Sequence, residues 1–154
     1  SIRSLHGHYY VANRIYQPSY ISMESALSHY GWIPEGVFSV VSVSTRKTRQ
    51  FETPLGNYIY RAIKPSLFFG YKILVEDGLK IKMAEPEKTL LDFLYFRSAL
   101  HDLADLESYR LNLFEINNTL DMEKLMAYAS LFQSKALDNK VKLLKFALNN
   151  DELV

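Results

Sequence analysis

The sequence predicts an α+β domain: N-terminal helices, a central antiparallel-rich sheet of hairpins, and a C-terminal helical tail packed on that sheet. Three observations carry this. Apolar residues recur at helical spacing before residue 36, β-branched and aromatic residues separated by turn signals fill 37–83, and the helical period returns over 84–154. A run of helix, then strands, then helices is the pattern of an α+β fold rather than of alternating βα units. At 154 residues the chain is the size of one domain, able to bury roughly 68–70% of its unfolded surface.

Taken in order, residues 8–31 read as helical. In "SMESALSHYG", Ser22 is a candidate N-cap, and Met23, Ala26, Leu27 and Tyr30 fall on one face. Gly31 sits where a helix stop belongs, Trp32 can fold back on the last turn, and Pro34 blocks continuation. "VFSVVSVST", beginning at Val37, is β-rich, with Ser39, Ser42 and Ser44 interrupting its apolar run. "RQFET" and "GNYIYRAI" flank "TPLG", and "FFGYKILV" and "LKIKM" flank "EDG", so two hairpins are predicted. Further helices are predicted near 86–99, 103–114, 121–132 and 136–149. Asp121 is a cap for the third, whose inner stripe is Leu125, Met126, Ala129 and Phe132; Val141, Leu144 and Leu148 line the fourth.

The stretch "AEPEKTLLDFLYF" gathers Glu85, Glu87, Lys88 and Asp92 beside an apolar run, and reads as a helix start rather than a catalytic site. Pro86 suits the first helical position, where its missing N–H costs nothing. Glu85 and Glu87 fall at the positive end of the helix dipole, each worth about 0.3–1 kcal/mol. Lys88 and Asp92, four apart, are expected on the outer face in the weaker orientation for an ion pair. Glu87 leads Leu90, Leu91 and Leu94 toward the core, and a carboxylate there needs a partner, for which Arg61 is the candidate.

Other chemistry is sparse. There are no cysteines, which excludes disulfides, thiolate metal sites and cysteine catalysis and fits a cytoplasmic, reducing setting. His6, His8, His29 and His101 form no metal pattern; "ETPLGNY" lacks the lysine of a phosphate loop, and no Gly-x-Ser-x-Gly elbow occurs. No catalytic residue, metal or cofactor is expected. No apolar run is long enough to cross a membrane, and no secretory leader is evident. The chain opens on Ser rather than Met, which reads as a fragment or processed form.

Net charge is +1, yet residues 1–83 hold ten Lys/Arg against five Asp/Glu, and 84–154 hold eight against twelve. The densest basic run is "STRKTR", Ser44 to Arg49. Thr45, Arg46, Lys47 and Arg49, with Arg61, are the candidate residues for gripping phosphate or an acidic partner. Eleven tyrosines and nine phenylalanines, clustered as Tyr9 and Tyr10, Tyr58 and Tyr60, and Phe68, Phe69 and Tyr71, serve either core or interface.

The segments "YQPSYISMESALSHYGWIPEGV", "SVSTRKTRQFETPLGNYIYRAIKPSLFFGY" and "AEPEKTLLDFLYF" together resemble the C-terminal domain of the AbiEi family of antitoxins, predicted transcriptional regulators of abortive-infection toxin–antitoxin systems. The resemblance runs from about Ile15 to Phe96, and "NNTLDMEKLMAYASLFQSKAL" is similar to the family's helical ending. The family's recurrent positions map onto Ser22, Glu24, Ala26, Leu27, Gly31, Thr45, Thr48, Gly56, Arg61, Glu87, Lys88 and Asp92. The resemblance implies a bacterial two-part regulator in phage defence: an N-terminal winged helix for operator DNA, then this domain for antitoxin activity against a nucleotidyltransferase-like toxin. The winged helix has no room before His6, so operator binding is expected only of a longer parent protein.

Three functions follow as expectations. The first is a non-enzymatic antitoxin domain acting through Thr45, Arg46, Lys47, Arg49 and Arg61. The second is an accessory nucleic-acid-binding domain using the same basic strands. The third is a metal-dependent nuclease built on Glu24, Glu87 and Asp92.

Overall fold

The computed structural model describes residues 4–34 and 38–150; Val37, predicted to open the β region, lies outside them. The chain runs α1 (Leu5–Ile15), β1 (Ser19–Ile21), α2 (Met23–His29), β2 (Ser39–Ser44), β3 (Arg49–Thr53) and β4 (Gly56–Ala62). A short 3-10 turn, Pro65–Leu67, leads into β5 (Tyr71–Glu76) and β6 (Leu79–Ala84). Then come α3 (Pro86–Tyr95), α4 (Leu103–Glu107), α5 (Leu113–Thr119), α6 (Met122–Phe132) and α7 (Lys135–Asn149).

The six strands form one sheet in the order β3-β4-β2-β1-β6-β5. Both predicted hairpins are present, β3 with β4 and β5 with β6, each antiparallel. Asp77 and Gly78 close the second with φ of 51° and 77°, the doubly left-handed turn that Asp-Gly favours. Strands β1 and β2 join the hairpins: they pair antiparallel with each other, while β2 runs parallel to β4 and β1 parallel to β6. The sheet is therefore mixed.

Strand β1 corrects the reading of 8–31 as helical. Pro18 lacks an amide proton and disfavours helix at Gln17, and the next three residues, "SYI", are buried between β2 and β6. The signals at Gly31, Trp32, Pro86 and Asp121 hold. Gly31 has φ 74°, and the Trp32 amide returns to the Leu27 carbonyl at 2.8 Å. Pro86 opens α3, and the Asp121 side chain accepts the Lys124 amide at 3.1 Å.

The tail differs from expectation in three places. The helix predicted over 103–114 is two helices, because Arg110 adopts φ 57°, Asp102 caps α4 in a capping box with Asp105, and Asn112 caps α5. Helix α3 stops at Tyr95 rather than near 99. There Lys140 Nζ donates to the carbonyls of Leu94 (3.1 Å) and Arg97 (2.6 Å), satisfying the helix end with a cation. Met126 does not join Leu125, Ala129 and Phe132 in the core; it is exposed.

Two cores flank the sheet. On one face Tyr20, Val41 and Val43 meet α2, α3, α6 and α7 through residues such as Leu27, Leu90, Leu94, Leu125 and Leu144. On the other, Ile21, Val40, Tyr58, Tyr60, Ile81 and Met83 meet Tyr9 and Ala12 of α1 and Tyr16 just after it. Tyr9, Tyr58 and Tyr60 are thus core rather than interface, and Phe68, Phe69 and Tyr71 pack half-buried against the first core.

Candidate functional site

The charged cluster at the start of α3 is almost wholly buried. Lys88 and Asp92 are fully enclosed, 0% exposed each, with Nζ 3.0 Å from Asp92 Oδ1. This overturns their expected outward placement: one turn of helix separates them, and that turn faces Tyr20 across the core. Lys88 Nζ donates to the Tyr20 hydroxyl and to the Leu67 carbonyl, both at 2.7 Å. Tyr20 in turn donates to Asp92 Oδ2 at 2.8 Å, and Ser22 Oγ donates to the same oxygen at 2.8 Å. Ser22 stands at the N-cap position of α2, but its hydroxyl is spent here and makes no cap bond. The Lys88 ammonium also lies 4.5 Å from the centre of the Phe69 ring, an attraction strengthened by desolvation.

Burial favours the neutral form of each member. It lowers the Lys88 ammonium below its ordinary range and raises the Asp92 carboxyl, each opposed by the charge of the other. Tyr20 is raised well above 10.0, first by burial and then by Asp92. Gly70, at φ 75°, packs closely on Lys88: a Cβ there would lie 3.0 Å from Lys88 Cβ.

Glu87 is buried as predicted, but Arg61 is not its partner. Glu87 Oε2 accepts the Asp121 amide at 2.9 Å, fastening α3 to the start of α6. Lys124 Nζ lies 3.9 Å from its other oxygen and hydrogen-bonds Glu85, which also accepts the Tyr128 hydroxyl at 2.7 Å. Burial would raise the Glu85 carboxyl, but the bonds from Lys124 and Tyr128 hold it below its usual value. Glu24 is taken by Arg97. The three carboxylates of the nuclease reading, Glu24, Glu87 and Asp92, therefore each have a separate partner, and no group of three His, Asp or Glu with metal-holding geometry occurs among the described residues.

Three of the four histidines are engaged too. His8 Nδ1 is 3.2 Å from the Tyr58 hydroxyl, His6 pairs with Glu76, and His29 packs edge-on to Tyr9.

The basic run behaves differently. Residues 46–50 are exposed, and Thr45 is half-buried. Ser44 Oγ anchors the segment, donating to the Pro18 carbonyl at 2.7 Å and accepting the Arg46 amide at 3.1 Å. The Tyr16 hydroxyl donates to the Lys47 carbonyl at 2.9 Å, and Thr48 Oγ1 accepts the Ala62 amide at 3.0 Å. These bonds hold two arginines over aromatic rings. The Arg46 guanidinium lies 4.1 Å from the Tyr16 ring centre, and that of Arg49 lies 4.4 Å from Phe51. Tyr16 and Phe51 meet edge to face at 5.8 Å. The result is a cationic edge of planar groups lying over aromatic rings, suited to carboxylates, phosphates or bases.

Arg61 does not belong to this edge. Its strand neighbour Tyr60 faces α1, so Arg61 faces the opposite side, where its guanidinium lies 4.7 Å from the Phe96 ring centre. Sequence reasoning missed Tyr16 and Phe51 as the seats of the arginines. Phe51 was findable, two residues after Arg49 on the same strand face; Tyr16, thirty residues away, was not. No family model matches the chain, and no curated protein matches it.

Proposed function

We propose that this chain is a non-enzymatic regulatory domain that neutralises a nucleotidyltransferase-like toxin, by contact or by acting on the toxin's target, within a longer parent that represses transcription. The observation that carries this reading is the exposed edge of Arg46, Lys47 and Arg49, with its two arginines seated on Tyr16 and Phe51. An exposed guanidinium pair already lying over aromatic rings suits an acidic protein face, because it presents planar forks to carboxylates. The resemblance to AbiEi antitoxins supports it. Of the polar positions recurrent in that family, Ser22, Glu24, Glu87, Lys88 and Asp92 bond within the fold and Arg61 lies over Phe96, while Thr45 and Thr48 fall in the basic run itself.

Growth rescue tests it. Co-expressed with the nucleotidyltransferase-like protein encoded beside its gene, the chain is expected to restore growth. Arg46→Glu with Lys47→Glu is expected to abolish protection and leave thermal unfolding unchanged. Full protection by that variant removes the edge from the function, and no rescue by the folded wild-type chain removes the toxin itself.

A second reading, nucleic-acid binding by the same edge, is favoured by one feature: arginine planes on aromatic rings also stack with bases. Affinity for duplex DNA that falls steeply with salt supports it, and no binding at low salt ends it.

A further inference from the structure

Strand β1 meets β6 only at Ile21 and Met83, so residues 79–82 run on past it with a free edge. Helix α1 takes the missing place. Asn13 Oδ1 accepts the Lys82 amide at 2.7 Å, and Asn13 Nδ2 donates to the Lys82 carbonyl at 3.4 Å, as a neighbouring strand would. A side chain cannot continue a strand, and a cleft of about 470 Å³ opens along the seam.

We propose that this cleft binds the phosphoryl group of a small phosphorylated molecule, such as a nucleoside monophosphate. Three cations line it, Arg14, Lys80 and Lys82, and among its described lining residues none is acidic. None of the three is in an ion pair with a described residue. The Lys82 ammonium lies 5.8 Å from the Tyr71 ring centre, and the charges of Arg14 and Lys80 concentrate the field that attracts an anion. Ser19 also lines the cleft, and its buried hydroxyl has no hydrogen-bond partner in the fold. Such a hydroxyl is costly unless something satisfies it, and a phosphate oxygen accepts from hydroxyl, ammonium and guanidinium alike. Tyr10, half-buried with its ring 5.6 Å from the Arg14 guanidinium, supplies an apolar wall for the body of the ligand. The cleft adjoins the Arg46 edge at Gln17 and Pro18, but its occupancy does not depend on the proposed antitoxin role.

The test is a ¹⁵N amide titration of the full chain with adenosine 5′-monophosphate, adenosine, inorganic phosphate and a short DNA duplex. Saturable shifts of amides in 13–19 and 78–82 are expected with the monophosphate, weaker ones with phosphate, and none with adenosine. Lys80→Gln and Ser19→Ala, tested singly, are each expected to weaken the monophosphate about tenfold, which is about 1.4 kcal/mol. The proposal is overturned by the absence of saturable shifts up to about 10 mM, by equal response to adenosine, or by binding that neither variant weakens. It is likewise overturned if the duplex, and not the monophosphate, moves these amides.

Discussion

Lys88 and Arg46 are both cations seated on aromatic rings, one in the core and one at the surface. The Lys88 ammonium lies 4.5 Å from the Phe69 ring centre, and the Arg46 guanidinium lies 4.1 Å from that of Tyr16. Lys88 is fully enclosed, and its hydrogen bonds go to Tyr20 and Leu67, with Asp92 as counter-ion. Arg46 is exposed and bonds only weakly to the protein, to the Gln17 carbonyl at 3.4 Å. The difference teaches that burial, rather than the kind of contact, separates a charge that holds the fold from one available to a partner. In the core, partners must be complete because water cannot substitute; at the surface, incomplete partnering leaves capacity for binding.

The strongest way to break the comparison is to unbalance the core pair. Asp92→Ala leaves the Lys88 ammonium buried without a counter-ion and strands Ser22 and Tyr20, so a loss of about 3–5 kcal/mol in urea unfolding is expected. Replacing both partners with apolar residues, Lys88→Met with Asp92→Leu, is expected to cost much less. A loss below about 1 kcal/mol for Asp92→Ala would mean that the pair does not hold the fold. Gly70→Ala comes next. The new Cβ would sit 3.0 Å from Lys88 Cβ and 3.1 Å from Tyr128 Cε2, at φ 75°, for an expected loss of about 1–3 kcal/mol by the same measurement.

Intermediate between core and surface is Glu85, whose carboxyl is held below its usual 4.5 by Lys124 and Tyr128 against the upward effect of burial. As pH falls, the unfolded chain takes up this proton before the native one does. The stability it contributes is therefore present above 4.5 and is lost as pH falls through the lower native value. Lys124→Met is expected to flatten that part of the acid limb in urea midpoints measured above and below 4.5. An unchanged slope would show that the Lys124 bond contributes nothing to it.

How much of this was legible depends on how local each cause is. Pro86, Gly31 and Asp77-Gly78 act through their own φ angles, so the helix start, the helix stop and the hairpin turn could be read from neighbouring residues. Strand β1 could not, because three residues become a strand only by lying between β2 and β6. Lys88 and Asp92 show the same limit at the level of function. Charges four apart on a helix suggest a solvent face, and what reverses this is Tyr20, 68 residues away. The run from Ser44 to Arg49 stood out because its charges are close in sequence, whereas its division from Arg61 depends on which face of β4 the Arg61 side chain takes.

The smallest structural effect is the one that most sharpens the comparison. Arg46→Lys with Arg49→Lys keeps both charges and removes the planar groups that lie over Tyr16 and Phe51. Both positions are exposed, and stability is expected to stay within about 0.5 kcal/mol of wild type. Protection against the toxin is nevertheless expected to fall, since lysine offers a mobile point charge where arginine offers a fixed fork. Undiminished protection would mean that the edge is read as charge alone, and the aromatic seats would then matter for packing only. Since Lys88 is held in the core by hydrogen bonds and a counter-ion besides its rings, the surface arginines are where the aromatic contribution can be measured without unfolding the protein.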